Sequence, residues 1–346
     1  MSCCDETTAR VPDPDVSRRA VFKGAALIAS LLPAARPSRA DAQGKTVHLA
    51  FCSQLLCVVP YEIARAGGYF KNHGLDVELV YTRGGNAAMQ ALIGGAVDYA
   101  GTSLDVAIQA YANGAEIRRF ATTGRLPLFA LATAPKTAND IRSVNDLGGK
   151  TVGVSALGNA DHALLLFLLK QANVDAAKVQ FATLGVNLLE ALRQGQVDAG
   201  LIQEPALTLL KQSGARVLVN AMDLADAQKY LGGTYEFMGV AVRAKEVEAR
   251  RAEMAQLSRG LADGLKALRT MSGPEMVAAL PRELIAGLDT EQLGDILVRY
   301  HTSLYPETVT IDLDSSKRVA NSLIVGGLLK PDVNLGGLYD TTIAGG

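Results

Sequence analysis

The 346-residue chain has no tryptophan, and its aromatic residues make up only 5% of the sequence. So few aromatic side chains leave few stacking platforms for nucleic-acid bases or for a large flat ligand. The formal net charge is −1, and no run of lysine and arginine is interleaved with aromatic residues. The composition therefore argues against a nucleic-acid partner and against binding to an anionic membrane surface.

Motifs for catalysis and for metal binding are also missing from the sequence. None of the four histidines, His48, His73, His162 and His301, has the spacing of an HExxH metal motif. The chain contains no P-loop and no G-x-S-x-G nucleophile elbow. We therefore expect a protein that is not an enzyme and that uses no cofactor and no metal ion.

The first 42 residues have the pattern of an export signal. Residues 17–23 (SRRAVFK) contain a twin-arginine pair, and an apolar stretch follows at residues 24–32. This stretch is shorter than the about 20 apolar residues that a membrane-spanning helix needs. Residues 40–42 (ADA) match the small-x-small cleavage rule, which predicts Gln43 as the mature start. We expect export by the twin-arginine translocon, removal of residues 1–42, and a soluble periplasmic product.

Two of the four cysteines, Cys3 and Cys4, fall in this predicted leader. The other two, Cys52 and Cys57, have a spacing that matches no common metal motif. In an oxidising compartment they either form a disulfide across a strand-to-helix turn or remain as two small buried side chains. The sequence leaves both alternatives open.

Short segments of the chain occur twice, about a hundred residues apart, which indicates two related halves. Residues 91–98 (ALIGGAVD) are matched by residues 191–198 (ALRQGQVD), and residues 45–47 (KTV) by residues 150–152. In both halves, short apolar runs alternate with helical patterns, which predicts α/β halves with mostly parallel sheets. A cleft between two such halves is a common place for a small ligand.

Two apolar segments, residues 128–133 and 237–242, are predicted to cross between the halves. The first lobe would then comprise residues 43–131 and 239–346, and the second lobe residues 132–238. The region after residue 247 is predicted to be largely helical and to pack back on the first lobe. Two crossovers form a paired hinge, which lets two rigid lobes close on a ligand.

Ligands of open α/β sheets bind beyond the carboxyl ends of the strands, near helix N-termini. This rule selects the residues that follow the predicted strands in both halves. The predicted ligand-binding residues are Ser53, Gln54, Gly85, Asn86, Thr102, Ser103, Ser155, Gly158, Asn159, Asn187, Gln203 and Glu204. Several of them also fit helix caps, and Glu204 followed by proline fits a cap before a first helical residue, so a purely structural role stays open.

Other polar residues near the strands receive structural interpretations. Asp98 and Asp198 precede strands at the end away from the cleft, and we interpret both as turn formers. His162 lies at a predicted helix start, where packing is the expected role. Arg83 and Arg125 are the two cations near predicted strand ends, and each is expected at the solvated surface, although either could pair with an anionic ligand.

Several segments resemble the solute-binding proteins of ABC transporters, in particular the nitrate, sulfonate and taurine type, which includes binders of a thiamine pyrimidine precursor. The resemblance is carried by residues 61–70 (YEIARAGGYF), 74–78 (GLDVE), 146–154 (DLGGKTVGV) and 195–205, the last of which contains the segments VDA and EP. It extends from about residue 47 to residue 242. The yeast-type pyrimidine synthase that shares this fold uses adjacent cysteines, and the one adjacent pair in this chain lies in the predicted leader.

The resemblance implies a type II periplasmic binding fold, with two α/β lobes joined by two crossover segments around a ligand cleft. It also implies a monomer that captures a small sulfonate-, nitrate- or carboxylate-like solute by lobe closure. Its partners would be the permease and the ATPase of an ABC importer. The alternatives are a binder of a neutral heterocycle such as a thiamine pyrimidine precursor, an enzyme on this fold, or a two-lobed sensory domain.

Overall fold

Two five-stranded sheets, each flanked by helices, form the framework of residues 46–344, which are the residues that the computed structural model describes. The strands are β1 (Thr46–Cys52), β2 (Asp76–Thr82), β3 (Tyr99–Ser103), β4 (Ile117–Thr122), β5 (Ala130–Thr133), β6 (Thr151–Val154), β7 (Gln180–Thr183), β8 (Ala199–Ile202), β9 (Val217–Asn220) and β10 (Met238–Arg243). The first sheet has the order β2-β1-β3-β10-β4, and the second sheet has the order β7-β6-β8-β5-β9. The two sheets therefore have the same topology, as the internal repeat predicts.

One strand in each sheet comes from the other half of the repeat. Strand β10 pairs antiparallel with both β3 and β4, and β5 pairs antiparallel with both β8 and β9. The segments predicted as crossovers are therefore largely strands, and the chain passes between the sheets at residues 123–129 and 221–237. The other two pairs in each sheet are parallel, so both sheets are mixed instead of mostly parallel by pairing, although four of the five strands in each sheet run in the same direction.

The helices cover the faces of the sheets and pack against one another at the C-terminal end. They are α1 (Leu55–Ala66), α2 (Tyr69–Asn72), α3 (Gly85–Ile93), α4 (Leu104–Ala112), α5 (Ala160–Gln171), α6 (Leu188–Arg193), α7 (Ala206–Gln212), α8 (Leu224–Leu231), α9 (Val247–Leu268), α10 (Gly273–Ala278), α11 (Arg282–Ile285), α12 (Thr290–Leu304) and α13 (Leu313–Val325). Helix α9 packs along α1 and α2, whereas α13 contacts both α4 and α5. The C-terminal region is helical as predicted, but it touches both halves instead of the first one alone.

Two aspartates at equivalent positions of the two halves link neighbouring strands in the same way in both sheets. The Asp98 carboxylate accepts a 2.9 Å hydrogen bond from the backbone N–H of His48, and Asp198 accepts a 2.8 Å bond from that of Thr151. Each aspartate thereby joins the start of one strand to the first residues of its neighbour. Both lie at the end of the sheet away from the strand ends that the ligand rule selects, as the sequence predicts.

The structure also corrects details of the sequence interpretation. Helix α1 begins at Leu55 instead of residue 59, with Pro60 inside it, and residues 69–72 form a short helix where a turn is predicted. Helix α8 is not predicted at all, although Asp223 caps it by accepting hydrogen bonds from the backbone N–H groups of Ala225 and Asp226. The predicted leader lies outside the described residues.

The two cysteines of residues 46–344, Cys52 and Cys57, are buried free thiols. Of the two alternatives that the sequence leaves open, the structure therefore contains the pair of small buried side chains. Within residues 46–344, no helix combines the length and the apolar character that are needed to cross a lipid bilayer.

Candidate functional site

A cavity of about 410 Å³, measured out to its open mouth, lies where the carboxyl ends of strands from both sheets meet. The first half of the chain contributes Cys52, Gln54, Cys57, Arg83, Gly84, Gly85, Thr102, Ser103 and Val106. The second half and the crossovers contribute Phe129, Ser155, Asn159, Ala160, Asp161, Phe237 and Met238. A ligand in this cavity would contact both halves.

The strand-end rule places many of its residues at this cavity. Gln54, Gly85, Thr102, Ser103, Ser155 and Asn159 all belong to its lining. Gly158 lies beside the cavity, near the Asn86 side chain: a Cβ built on Gly158 would lie 3.9 Å from Asn86 Nδ2. The structure therefore brings together eight of the predicted positions around one space.

The remaining predicted residues lie elsewhere or serve other contacts. Gln203 reaches across the cleft and donates a 2.6 Å hydrogen bond from Nε2 to Gln54 Oε1. Ser53 and Asn187 are exposed and are not in the lining. Glu204 is buried outside the cavity, where it accepts hydrogen bonds of 2.9 and 3.0 Å from the backbone and side chain of Thr208. Burial raises the pKa of Glu204.

A buried carboxylate, Asp161, is a lining residue that the strand-end rule missed. It lies in the first turn of α5 and is 0% exposed. Ser155 donates to it from both its backbone N–H and its hydroxyl, the latter at 2.8 Å. Burial raises the pKa of Asp161 in spite of these hydrogen bonds. The signal available in the sequence is an acidic residue in the first turn of a helix that follows a strand end.

The sequence analysis also missed the apolar residues of the cavity lining, because their pattern in the sequence is that of ordinary core residues. Phe129 and Phe237 come from the two crossovers and meet edge to face, with ring centroids 5.9 Å apart. Val106 and Met238 also belong to this apolar part of the lining. The cavity lining therefore combines these apolar side chains with the hydrogen-bonding groups of the strand ends.

Three polar atoms near the cleft have no hydrogen-bond partner within the described part of the chain. They are Thr102 Oγ1, Asn159 Oδ1 and Gln203 Oε1. Thr102 is 0% exposed, so its hydroxyl is also shielded from bulk water. Buried polar groups are nearly always satisfied in native proteins. A bound solute or water in the cavity would satisfy the Thr102 and Asn159 atoms.

A buried arginine, Arg119 of β4, supports the cavity from behind. Its guanidinium donates to Thr102 O at 2.9 Å and to Phe237 O at 2.7 Å, and both acceptors belong to cavity residues. It also pairs with the buried Glu236 at 3.3 Å. One side chain that does not line the cavity therefore holds the backbone of two neighbouring cavity residues.

The other polar residues considered in the sequence, Arg83, Arg125 and His162, have mostly structural contacts. Arg83 lines the cavity and is exposed, whereas Arg125 donates to the backbone oxygens of Thr302 and Ser303 away from it. His162 packs edge to face against Phe181, and burial lowers its pKa. The packing role predicted for His162 is therefore consistent with its contacts.

Comparisons with known proteins agree with this architecture. The family model described as NMT1/THI5 like matches residues 58–270. The riboflavin-binding protein RibY of Chloroflexus aurantiacus is 25% identical over 276 residues, which cover 76% of this chain and 74% of that protein.

Solved structures show the same fold at low sequence identity. A Bordetella bronchiseptica protein of 24% identity superimposes with a TM-score of 0.77, covering 86% of this chain and 95% of that one. The periplasmic aliphatic sulphonate binding protein SsuA of Escherichia coli, 20% identical, gives a TM-score of 0.67 and covers 86% of this chain and 93% of its own. The predicted two-lobed periplasmic binding fold and the predicted family resemblance are confirmed, and the chain belongs to the NMT1/THI5-like family.

Proposed function

We propose that this chain captures a small solute between its two lobes in the periplasm and delivers it to the permease and ATPase of an ABC importer. The observation that carries the proposal is a cavity lined by both halves of the chain, with direct hydrogen bonds between the halves. Gln203 donates to Gln54 at 2.6 Å, and Gln109 donates to Gly158 O at 3.2 Å. A solute that contacts both lobes binds the closed form better and shifts the population toward it.

The relatives support a binding role. RibY is named for riboflavin binding, and the SsuA protein for aliphatic sulphonate binding and a periplasmic location. The proposal assigns this chain binding without a reaction, action as a monomer, and export through its twin-arginine leader.

We infer an oxyanion, such as a sulfonate, nitrate or carboxylate, as the solute. The N-cap residues of three helices, Gly84 of α3, Ser103 of α4 and Asn159 of α5, all line the cavity. Helix N-termini carry partial positive charge and present backbone N–H groups, which favours anions. Arg83 adds a full positive charge at the same place.

A neutral heterocycle that donates hydrogen bonds is the second candidate, and a different observation favours it. Asp161 places a carboxyl group in the lining, and Asn159 Oδ1 is an acceptor without a partner. The edge-to-face pair of Phe129 and Phe237 offers an apolar surface for a flat ring. An aminated pyrimidine has both the ring and the donors.

A thermal-shift screen with alkanesulfonates, taurine, nitrate, carboxylates, aminopyrimidines and riboflavin tests the proposal. A solute at about 100 times its Kd stabilises the native protein by about 2.7 kcal/mol. Gln203→Ala should weaken binding of the identified solute roughly tenfold through loss of the cross-cleft hydrogen bond, whereas the exposed control Gln196→Ala should not. Equal affinity of these two variants contradicts closure through Gln203.

Two further variants separate the solute classes. Arg83→Gln should weaken an oxyanion, and Asp161→Asn should leave it unchanged or strengthen it, because one carboxylate charge is removed from the lining. For a heterocycle that donates to the carboxylate, Asp161→Asn should cause the larger loss. Arg142→Gln, at an exposed position outside the lining, is the matched control for charge removal. If none of the solutes shifts the unfolding temperature and mass spectrometry of the denatured protein finds no retained solute, the proposal fails.

A further inference from the structure

Three side chains of the second half form a chain of hydrogen bonds in the cavity lining. Asp161, Ser155 and Asn159 all line the cavity. Ser155 donates to the Asp161 carboxyl group from its backbone N–H and, at 2.8 Å, from its hydroxyl. Asn159 in turn donates from Nδ2 to Ser155 Oγ at 3.1 Å. We refer to these three residues as the relay.

The chemistry of Asp161 fixes the direction of every hydrogen bond in the relay. An ionised carboxylate has no hydrogen to donate, so it accepts from both Ser155 groups. The Ser155 hydroxyl has a single hydrogen, which bonds Asp161, so its oxygen can only accept from Asn159. The Asn159 amide therefore has to turn Nδ2 toward Ser155 and Oδ1 away from it.

This orientation leaves the Asn159 amide oxygen without a donor. Oδ1 is buried and has no hydrogen-bond partner within residues 46–344. The amide lies where the two halves meet, since a Cβ built on Gly84 of the first half would lie 3.3 Å from Nδ2 and 4.0 Å from Oδ1. A buried acceptor without a donor is unfavourable, so a hydrogen-bond donor in the cavity is favoured.

We propose that Asp161, acting through Ser155, is a positioning residue that makes Asn159 present a fixed acceptor, and that the site thereby selects a solute with an N–H or O–H group. This inference deepens the proposed function and rests on it. It favours an oxyanion that also carries a hydroxyl or amino group, or an aminated heterocycle. A plain alkanesulfonate or nitrate would leave the Asn159 oxygen unpaired, which a site built around a hydrogen bond discriminates against.

One substitution should reverse the relay. In Asp161→Asn, the backbone N–H of Ser155 still needs an oxygen as its acceptor, so the new amide nitrogen faces the Ser155 hydroxyl and donates to it. The hydroxyl hydrogen can then bond Asn159 Oδ1, and the Asn159 amide turns Nδ2 toward the cavity. The variant should therefore favour a solute that accepts a hydrogen bond.

The direction of the relay is measured without any solute. In the full chain at about pH 8, where an ordinary carboxyl group is ionised, nuclear Overhauser effects are recorded between the side-chain amide protons of Asn159 and the Cβ protons of Ser155. Asn159→Leu lacks these amide signals and so assigns them. We expect strong effects in the parent chain and their loss in Asp161→Asn. Asp140→Asn, at an exposed position outside the lining, removes the same charge and should retain them. Equal effects in the parent chain and in Asp161→Asn would overturn the relay.

Matched solutes test the selection itself. Hydroxypropanesulfonate is compared with butanesulfonate, and aminopyrimidine with methylpyrimidine, so that each pair differs in the replacement of a donor by a methyl group. In the parent chain, the donor member should bind about tenfold more tightly. Asn159→Leu, in which the charge of Asp161 is retained, should abolish this advantage, and Asp161→Asn should abolish or reverse it. Asp140→Asn should keep it. Each variant is first checked for folding by circular dichroism.

The two experiments separate this inference from the proposed function. Equal affinities of the two members, in every pair that binds the parent chain, would overturn the selection for a donor. If no member of either pair binds and the broader solute screen is also negative, the proposed function fails. The amide spectra still decide the direction of the relay in that case.

Discussion

Removal of the buried guanidinium of Arg119 should destabilise the protein strongly. Arg119 is 0% exposed, and its partner Glu236 is 2% exposed. In Arg119→Met, the carboxylate loses its cation, and the backbone oxygens of Thr102 and Phe237 lose the hydrogen bonds that the guanidinium donates. Breaking a buried ion pair by removing one partner costs about 3–5 kcal/mol, because an uncompensated charge remains. We expect a decrease of this size in the free energy of unfolding near neutral pH.

Urea denaturation followed by circular dichroism measures this change. Arg118→Met is the matched control, because Arg118 is half-buried and its guanidinium donates to the oxygen of its own neighbour, Ile117, so its loss should cost less than about 1 kcal/mol. Arg119→Met combined with Glu236→Gln should recover part of the stability, because the buried charge is then absent. A loss below about 1 kcal/mol in the single variant, or no recovery in the double variant, would refute the reasoning.

The pH dependence gives an independent check of the same pair. Burial raises the pKa of Glu236, and Arg119 opposes this shift. Without Arg119 the pKa rises further above its unfolded value, so the variant is most stable where Glu236 is protonated and loses stability as pH rises through the folded pKa. The difference between Arg119→Met and the unmodified chain should therefore shrink toward acid pH. A difference that grows toward acid pH would show that Glu236 is not the group responsible.

Two further predictions concern stability. Burial raises the pKa of Asp105 from 3.8 to about 6, so this group should lower the free energy of unfolding as pH rises through this range. Asp105→Asn should make the slope less steep and should raise stability well above pH 6 by at most about 3 kcal/mol, measured by urea titration at several pH values. An unchanged slope would show that Asp105 does not titrate there. Gly101→Ala would place a Cβ 2.7 Å from the buried Tyr61 hydroxyl and should cost about 1–3 kcal/mol in thermal unfolding, whereas Gly148→Ala, which meets no atom within 4 Å, should cost little. Equal unfolding temperatures of these two variants would contradict the predicted steric clash.

Local patterns were sufficient to predict much of the fold. The predicted bounds of β4, β6, β8 and α5 agree with the structure, because each is a strongly apolar or amphipathic segment between clear turn residues. Helix α8 was missed because it lies in the crossover region, where the repeat offers no counterpart. The insertion of β10 into the first sheet and of β5 into the second sheet was missed for a different reason. Both segments were recognised as apolar, but the sheet in which a strand pairs is decided by contacts distant in sequence.

The candidate site was predictable where backbone geometry alone decides it. The strand-end rule found Thr102, Ser155 and Asn159 because carboxyl ends of parallel strands meet at one edge. It could not find Asp161, whose position depends on how α5 turns its first residues toward Ser155. It also could not distinguish the inward Arg119 from the adjacent Arg118, because which of two neighbouring side chains faces the core depends on the register of the strand.

The position of β10 in the first sheet and of β5 in the second sheet also affects the order in which the sheets can be completed. Every strand of the second sheet lies within residues 130–220, so this sheet has all its parts as soon as that stretch has left the ribosome. The first sheet starts earlier but needs β10, which is inserted between β3 and β4 and ends only at Arg243. Because β10 alone joins β4 to β3, the first sheet stays incomplete until the second half of the chain has been synthesised. We expect amide protons of the second sheet to be protected before those of β4 when refolding is followed by pulsed hydrogen exchange.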